Sequence, residues 1–157
     1  MSRLMLLALI ASASQAAVPL RVIDGYAFVQ ATVNGHPLRM VLDTGASSCA
    51  LAPEAADRVG LRYDHRVVVE STTGTMTVGA GIANISLGDN QTADAEILRQ
   101  PVDAVRGVDP RADGVLGQSF LGRFPYLINY KKKRLWIGPE ADEQAVALGA
   151  PLAAERV

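Results

Sequence analysis

Residues Tyr26 to Leu42 leave this chain few choices. Ala27, Val29, Ala31 and Val33 alternate along one face, the period of a strand that buries one side. Asn34-Gly35 comes next, a pair that accepts the positive φ angles of a two-residue hairpin turn. Leu38 to Leu42 then reads as the returning strand, and it delivers Asp43 into Thr44-Gly45-Ala46-Ser47-Ser48. A carboxylate at the end of an apolar strand is costly unless hydrogen bonds or a polar cavity compensate it. Thr44 offers a hydroxyl, and Gly45 lets a backbone or a ligand come close.

The rest of the chain continues in short strands and turns. Cys49 to Leu51 is expected as a strand, and Pro53-Glu54 opens a helix of one or two turns that Gly60 closes. Val67 to Val69 reads as strand, Ser71-Thr72-Thr73-Gly74-Thr75 as a polar turn, and Met76 to Ile85 as strand again. Gly79 and Gly81 suggest a bulge or a tight bend there. Thr92 to Leu98 is expected as strand, Pro101 to Pro110 as loop, and Val115-Leu116 as a short apolar strand. Gln118 to Arg123 suits a short helix that stops before Pro125. Tyr126 to Asn129 and Leu135 to Ile137 form a last hairpin across Lys131-Lys132-Lys133-Arg134, and residues 140–148 have helical composition. Many short strands at close spacing predict an all-β barrel or sandwich rather than an α/β sheet.

Composition narrows the function. With 157 residues the chain has room for one domain with a proper core, and its net charge of −1 argues against a general nucleic-acid binder. One cysteine, Cys49, and two histidines, His36 and His65, leave no disulfide and no paired-ligand spacing, so no metal or cofactor is expected. Arg3, the apolar run Leu4 to Ile10 and the small residues through Ala17 read as a signal peptide over residues 1–17, cleaved near Ala16/Ala17. The apolar run is shorter than the ~20 residues of a membrane span, so an uncleaved anchor is the lesser alternative. Residues 18–139 are then the domain and 140–157 a part-helical tail. The protein is expected to be exported, periplasmic or secreted.

Three separated segments resemble the retropepsin-like aspartic proteases, the single-domain branch of that family. They are Val41-Leu42-Asp43-Thr44-Gly45-Ala46, then Asp113-Gly114-Val115-Leu116-Gly117-Gln118-Ser119-Phe120-Leu121, then the hairpin-like stretch Val67 to Val78. The closing Leu127-Ile128-Asn129-Tyr130 and Leu135-Trp136-Ile137 match bacterial members. The resemblance implies a closed or partly closed acid-protease barrel with one or two short helices. It implies Asp43 as catalytic, with Thr44, Gly45 and Ala46 as the supporting loop and Val115, Leu116 and Gly117 as the strand behind it. Thr72, Thr73, Gly74 and Thr75 fall where the family places its substrate-covering flap. Viral members often brace this loop with an acid and an arginine. Ser47 or Ser48 and Gln118 stand in those places here, leaving neutral hydrogen bonds to replace the brace.

Family chemistry uses two carboxylates that share one proton. The sequence holds one Asp-Thr-Gly, so a homodimer supplying Asp43 twice is expected, acting on polypeptide. A non-catalytic peptide-binding module on the same fold is the alternative. Phosphoryl transfer through Asp43 would need an α/β sheet and an acidic Mg²⁺ site, and the strand-rich pattern disfavours it. Asp113 reads as part of a loop entering the supporting strand rather than as a second catalytic group. Cys49 reads as a small buried hydrophobe, and His36 and His65 as surface residues.

Overall fold

The computed structural model describes residues 17–71 and 74–149. The expected signal peptide and the end of the tail lie outside them, as do Thr72 and Thr73. The described chain runs β1 (Val18–Pro19), β2 (Arg21–Ile23), β3 (Tyr26–Val33), β4 (His36–Leu42), β5 (Cys49–Leu51), α1 (Pro53–Arg58), β6 (His65–Ser71) and β7 (Gly74–Leu87). It continues through β8 (Asn90–Arg99), α2 (Asp103–Val108), β9 (Gly114–Leu116), α3 (Gln118–Leu121), β10 (Tyr126–Asn129), β11 (Arg134–Ile137) and α4 (Pro139–Ala147).

Pairing turns the larger sheet into a ring. Its order is β2-β3-β4-β9-β5-β8-β7-β6, and a further β3–β7 pairing joins Val33 to Ile85 and Thr32 to Ser86. The strands from β3 to β7 therefore close on themselves, with β2 and β6 as outer strands. This is the closed β-barrel that the strand pattern predicts, which removes most of the exposed edges of an open sheet. A second sheet, β1-β11-β10, packs beside it.

The ring is filled by the faces the sequence alternates inward. Ala27, Val29, Ala31 and Val33 of β3 and Leu38 and Met40 of β4 are all buried in the main core. Each large aliphatic side chain removed from water there is worth roughly 1.5–3 kcal/mol. Phe28 and Val41 point to the other face and are buried with Ala112. The β3–β4 turn carries Asn34 at φ 47° and Gly35 at φ 82°, the paired positive angles of a type I′ turn.

Two local expectations change. The segment Pro101 to Pro110 is not all loop: Asp103–Val108 forms α2, whose residues are all at least partly exposed. The irregularity in β7 falls between Ala83 and Ile85, not at Gly79 or Gly81, which keep regular register with Arg99 and Ile97. At Asn84 the backbone leaves β8 and exchanges bonds with Asn34 instead, which starts the closure onto β3. Gly81 serves close approach: a Cβ there would sit 1.9 Å from the Arg62 carbonyl oxygen.

Candidate active site

The loop carrying Asp43 is an arch over another strand. β4 and β5, on either side of it, do not pair with each other. β9 runs between them, parallel to β4 with Val41 beside Val115 and Leu42 beside Leu116. It is antiparallel to β5, with Ala50 beside Val115 and Leu51 beside Gly114. Residues 43–48 connect the two flanking strands across the end of β9.

Backbone bonds pin both sides of the arch. The Asp43 N–H donates to the Leu116 carbonyl at 3.1 Å, and the Gln118 N–H donates to the Ala46 carbonyl at 2.8 Å. Gly117 lies directly beneath: a Cβ would come within 2.4 Å of the Ser48 carbonyl oxygen and 2.8 Å of that of Ala46. Only glycine lets the chains pass this closely. Leu116 and Gly117 thus lie directly against the arch, and Val115 lies between the strands that flank it.

Side chains complete the clamp. The Gln118 Nε2–H donates to the Thr44 carbonyl at 2.8 Å and to the Tyr126 hydroxyl at 3.2 Å. The Ser119 hydroxyl accepts the Cys49 N–H at 2.9 Å and donates to the Glu96 carbonyl at 2.8 Å. Cys49 is fully buried and accepts the Gly117 N–H at its sulfur. Burial raises its pKa, outweighing bonds to Ser119 and Gly117. It is therefore a packed thiol rather than a thiolate nucleophile.

Against this fixed base the Asp43 side chain is exposed. Its Oδ1 accepts the Gly45 N–H at 2.9 Å. A Cβ at Gly45 would lie 3.3 Å from that oxygen, so the glycine leaves the carboxylate room. Thr44 is exposed as well and Ala46 half-buried. A solvent-facing carboxylate held by one N–H donor can take a proton from water. One carboxylate cannot also donate to the group under attack while it stays ionised.

The β6–β7 hairpin packs on the same strands. Ser71 pairs with Gly74, and the register runs back through Val69–Met76 to His65–Ala80. Val67 and Val69 pack with Val78, Ala80, Leu98, Ala50 and Val115, so the hairpin base rests on the strands that carry the arch. Gly74 has φ 131°, and Thr75 is exposed.

Three contacts escaped the sequence reading. Glu96 accepts the Ser48 hydroxyl at 3.0 Å and meets His65 Nε2 at 3.3 Å. His65, the first residue of β6, also bonds Asp64 through Nδ1. Asp64 and then Glu96 raise its pKa. Asp113 stays apart from the arch: it accepts the Arg39 N–H at 2.9 Å and pairs with Arg58 at 2.6 Å. The Glu96 and Asp113 pairings leave no periodic or motif signal, because each joins residues far apart in sequence.

The family model for aspartyl proteases matches residues 29–120. The crystal structure of a retropepsin-like aspartic protease from Rickettsia conorii is similar in fold, with TM-score 0.56 and 22% identity over 78% of this chain and 89% of that one. EIAV protease complexed with the inhibitor HBY-793 matches at TM-score 0.46 and 14% identity, over 85% of this chain and 98% of the other. No curated protein matches the chain in sequence. The matched span begins within β3 and ends in α3, taking in both the arch and the strand beneath it, and the chain belongs to the aspartyl protease family.

Proposed function

We propose that the protein is an exported aspartic endopeptidase, active as a homodimer in which each copy supplies Asp43. The observation that carries this reading is the exposed Asp43 carboxylate, set on an arch fixed to β9 and α3 within a chain of the aspartyl protease family. One copy contributes one Asp-Thr-Gly, so the second carboxylate comes from a partner related by a two-fold axis, the commonest oligomeric symmetry.

In the pair, two carboxylates share one proton because both cannot ionise side by side. The ionised Asp43 takes a proton from water as the water oxygen attacks the peptide carbonyl carbon. The protonated Asp43 of the partner gives its proton to the carbonyl oxygen as charge develops there. Collapse of the tetrahedral species breaks the C–N bond, and the amine leaves with a proton. Thr44 reaches its counterpart across the axis. Gly74 and Thr75, at the head of β7, belong to the flap that closes over peptide bound as an added strand. Activity is greatest at acidic to near-neutral pH, where the dyad keeps one proton.

The test is Asp43→Asn beside wild type on a peptide library. Cleavage by wild type and none by the variant supports the mechanism, and equal cleavage ends it. Sedimentation of the active species as a monomer would end the dimer claim while leaving Asp43 in place.

A further inference from the structure

All three lysines of this chain are consecutive, Lys131-Lys132-Lys133, and Arg134 follows them. Elsewhere the chain uses arginine, and six arginines meet carboxylates: Arg39, Arg58, Arg99, Arg106, Arg111 and Arg123. That division suits the chemistry, since the guanidinium fork matches a fixed carboxylate whereas the ammonium is a hydrated point charge. Lys131, Lys132, Lys133 and Arg134 are exposed at the β10–β11 turn. None of them has a carboxylate partner among the described residues.

The fold adds to this charge. β1 pairs with β11, setting Pro19 beside Arg134, and the Leu20 N–H donates to the Lys133 carbonyl at 3.0 Å. Exposed Arg21, also without a carboxylate partner among the described residues, comes next in sequence. Tyr130, half exposed, begins the turn, a residue type suited to a boundary between water and an apolar phase. Lys133 has φ 52°, a left-handed angle that glycine or asparagine adopts more readily. The net charge of the whole chain is only −1, so this basic patch stands against an acidic remainder.

We infer that this turn, with Arg21, is a docking surface for an anionic lipid bilayer. The occupant follows from where the patch lies. It lies beside the point at which the chain enters the fold at β1, so the form that keeps residues 1–17 as an anchor, the alternative to cleavage, brings the apolar run Leu4 to Ile10 to the same surface. A short apolar segment or a polybasic patch alone holds a membrane weakly, and the two together hold it well. A bilayer also offers the broad, laterally mobile negative charge that unpaired lysines fit.

The experiment is flotation of the full chain with vesicles of phosphatidylglycerol and phosphatidylcholine, and with vesicles of phosphatidylcholine alone. Lys131→Gln/Lys132→Gln/Lys133→Gln is compared with wild type, and Arg62→Gln/Arg66→Gln serves as the control for charge removed elsewhere. Each cation near an anionic surface strengthens partitioning about fivefold, so the triple variant should lose roughly 100-fold on the anionic vesicles. The control should bind as wild type does. Wild-type binding to anionic vesicles should also fall steeply with added salt, a readout that does not depend on how any variant folds. Equal partitioning of wild type and triple variant overturns the inference. So does wild type binding phosphatidylcholine as well as the anionic vesicles, or binding heparin as tightly as either, which would make the patch a general polyanion site.

Discussion

The Gln118 side chain donates to the Thr44 carbonyl at 2.8 Å. Its backbone N–H donates to the Ala46 carbonyl two residues further along the arch, also at 2.8 Å. One residue at the start of α3 therefore holds the arch on both sides of Gly45. The same Nε2 reaches the Tyr126 hydroxyl at 3.2 Å, which ties this clamp to β10. The clamp is made of neutral hydrogen bonds, and Ser48 takes no part in it, its hydroxyl donating to Glu96 instead.

Gln118→Leu keeps the bulk of the side chain and removes both donors. The Thr44 carbonyl is exposed enough to find water, so the stability loss should be modest, about 1 kcal/mol. Catalysis is more demanding, because small misplacements of a reacting group cost a great deal. The variant should show kcat at least tenfold lower with little change in KM, measured beside a denaturation curve. A fall in kcat that only tracks unfolding would reduce Gln118 to a structural role.

Gly117 and Gly45 separate folding from chemistry. A Cβ at Gly117 would meet two backbone carbonyl oxygens, at 2.4 and 2.8 Å, and neither can move without breaking the arch. Gly117→Ala should cost about 3 kcal/mol, the upper end of overpacking. At Gly45 the nearest atom is the Asp43 Oδ1 at 3.3 Å, the tip of an exposed side chain. Gly45→Ala should melt within a few degrees of wild type and lose most of its peptide cleavage. Thermal melts and assays on both variants check the pair.

How far the sequence went follows from how local each signal was. The β3–β4 hairpin was legible because Asn34-Gly35 meets a type I′ turn and the alternation of β3 names its buried face. Asp43 was legible as a strand-end carboxylate for the same reason. The position of β9 between β4 and β5 has no such signal: Leu42 and Leu116 become neighbours in a parallel pair through tertiary closure alone, and only resemblance suggested it. α2 was read as loop because Pro101 and Pro110 bracket it and Gly107 interrupts its helical pattern. The Glu96 contacts to Ser48 and His65 join three elements and were invisible for that reason.

Two ionisable groups should shape stability at opposite ends of the working pH range. Asp109 is buried beside Arg39 and Arg111. Burial raises its pKa, but the Arg111 N–H and the Arg39 and Arg111 charges lower it by more. Its stabilisation is therefore present above the unfolded carboxylate value of about 4 and is lost as pH falls through the folded value. His65 has the opposite sign: its pKa is raised by Asp64 and Glu96. Its stabilisation is full below about 6.5 and is lost as pH rises through the folded value. Asp109→Asn should flatten the acid limb of a plot of melting temperature against pH. His65→Gln should flatten only the limb above about 6.5. The reverse assignment of limbs would refute both pKa directions.

Mixing separates a shared active site from two independent ones. If each site needs Asp43 from both copies, a subunit carrying Asp43→Asn silences the wild-type subunit it joins. Wild type and variant, unfolded together in equal amounts and refolded at constant total protein, then form active wild-type pairs with a statistical frequency of about one quarter. Cleavage should fall to about a quarter of that of undiluted wild type and follow the square of the wild-type fraction across a mixing series. A straight line through one half would mean that each copy works alone, and that the second proton carrier lies within the same chain.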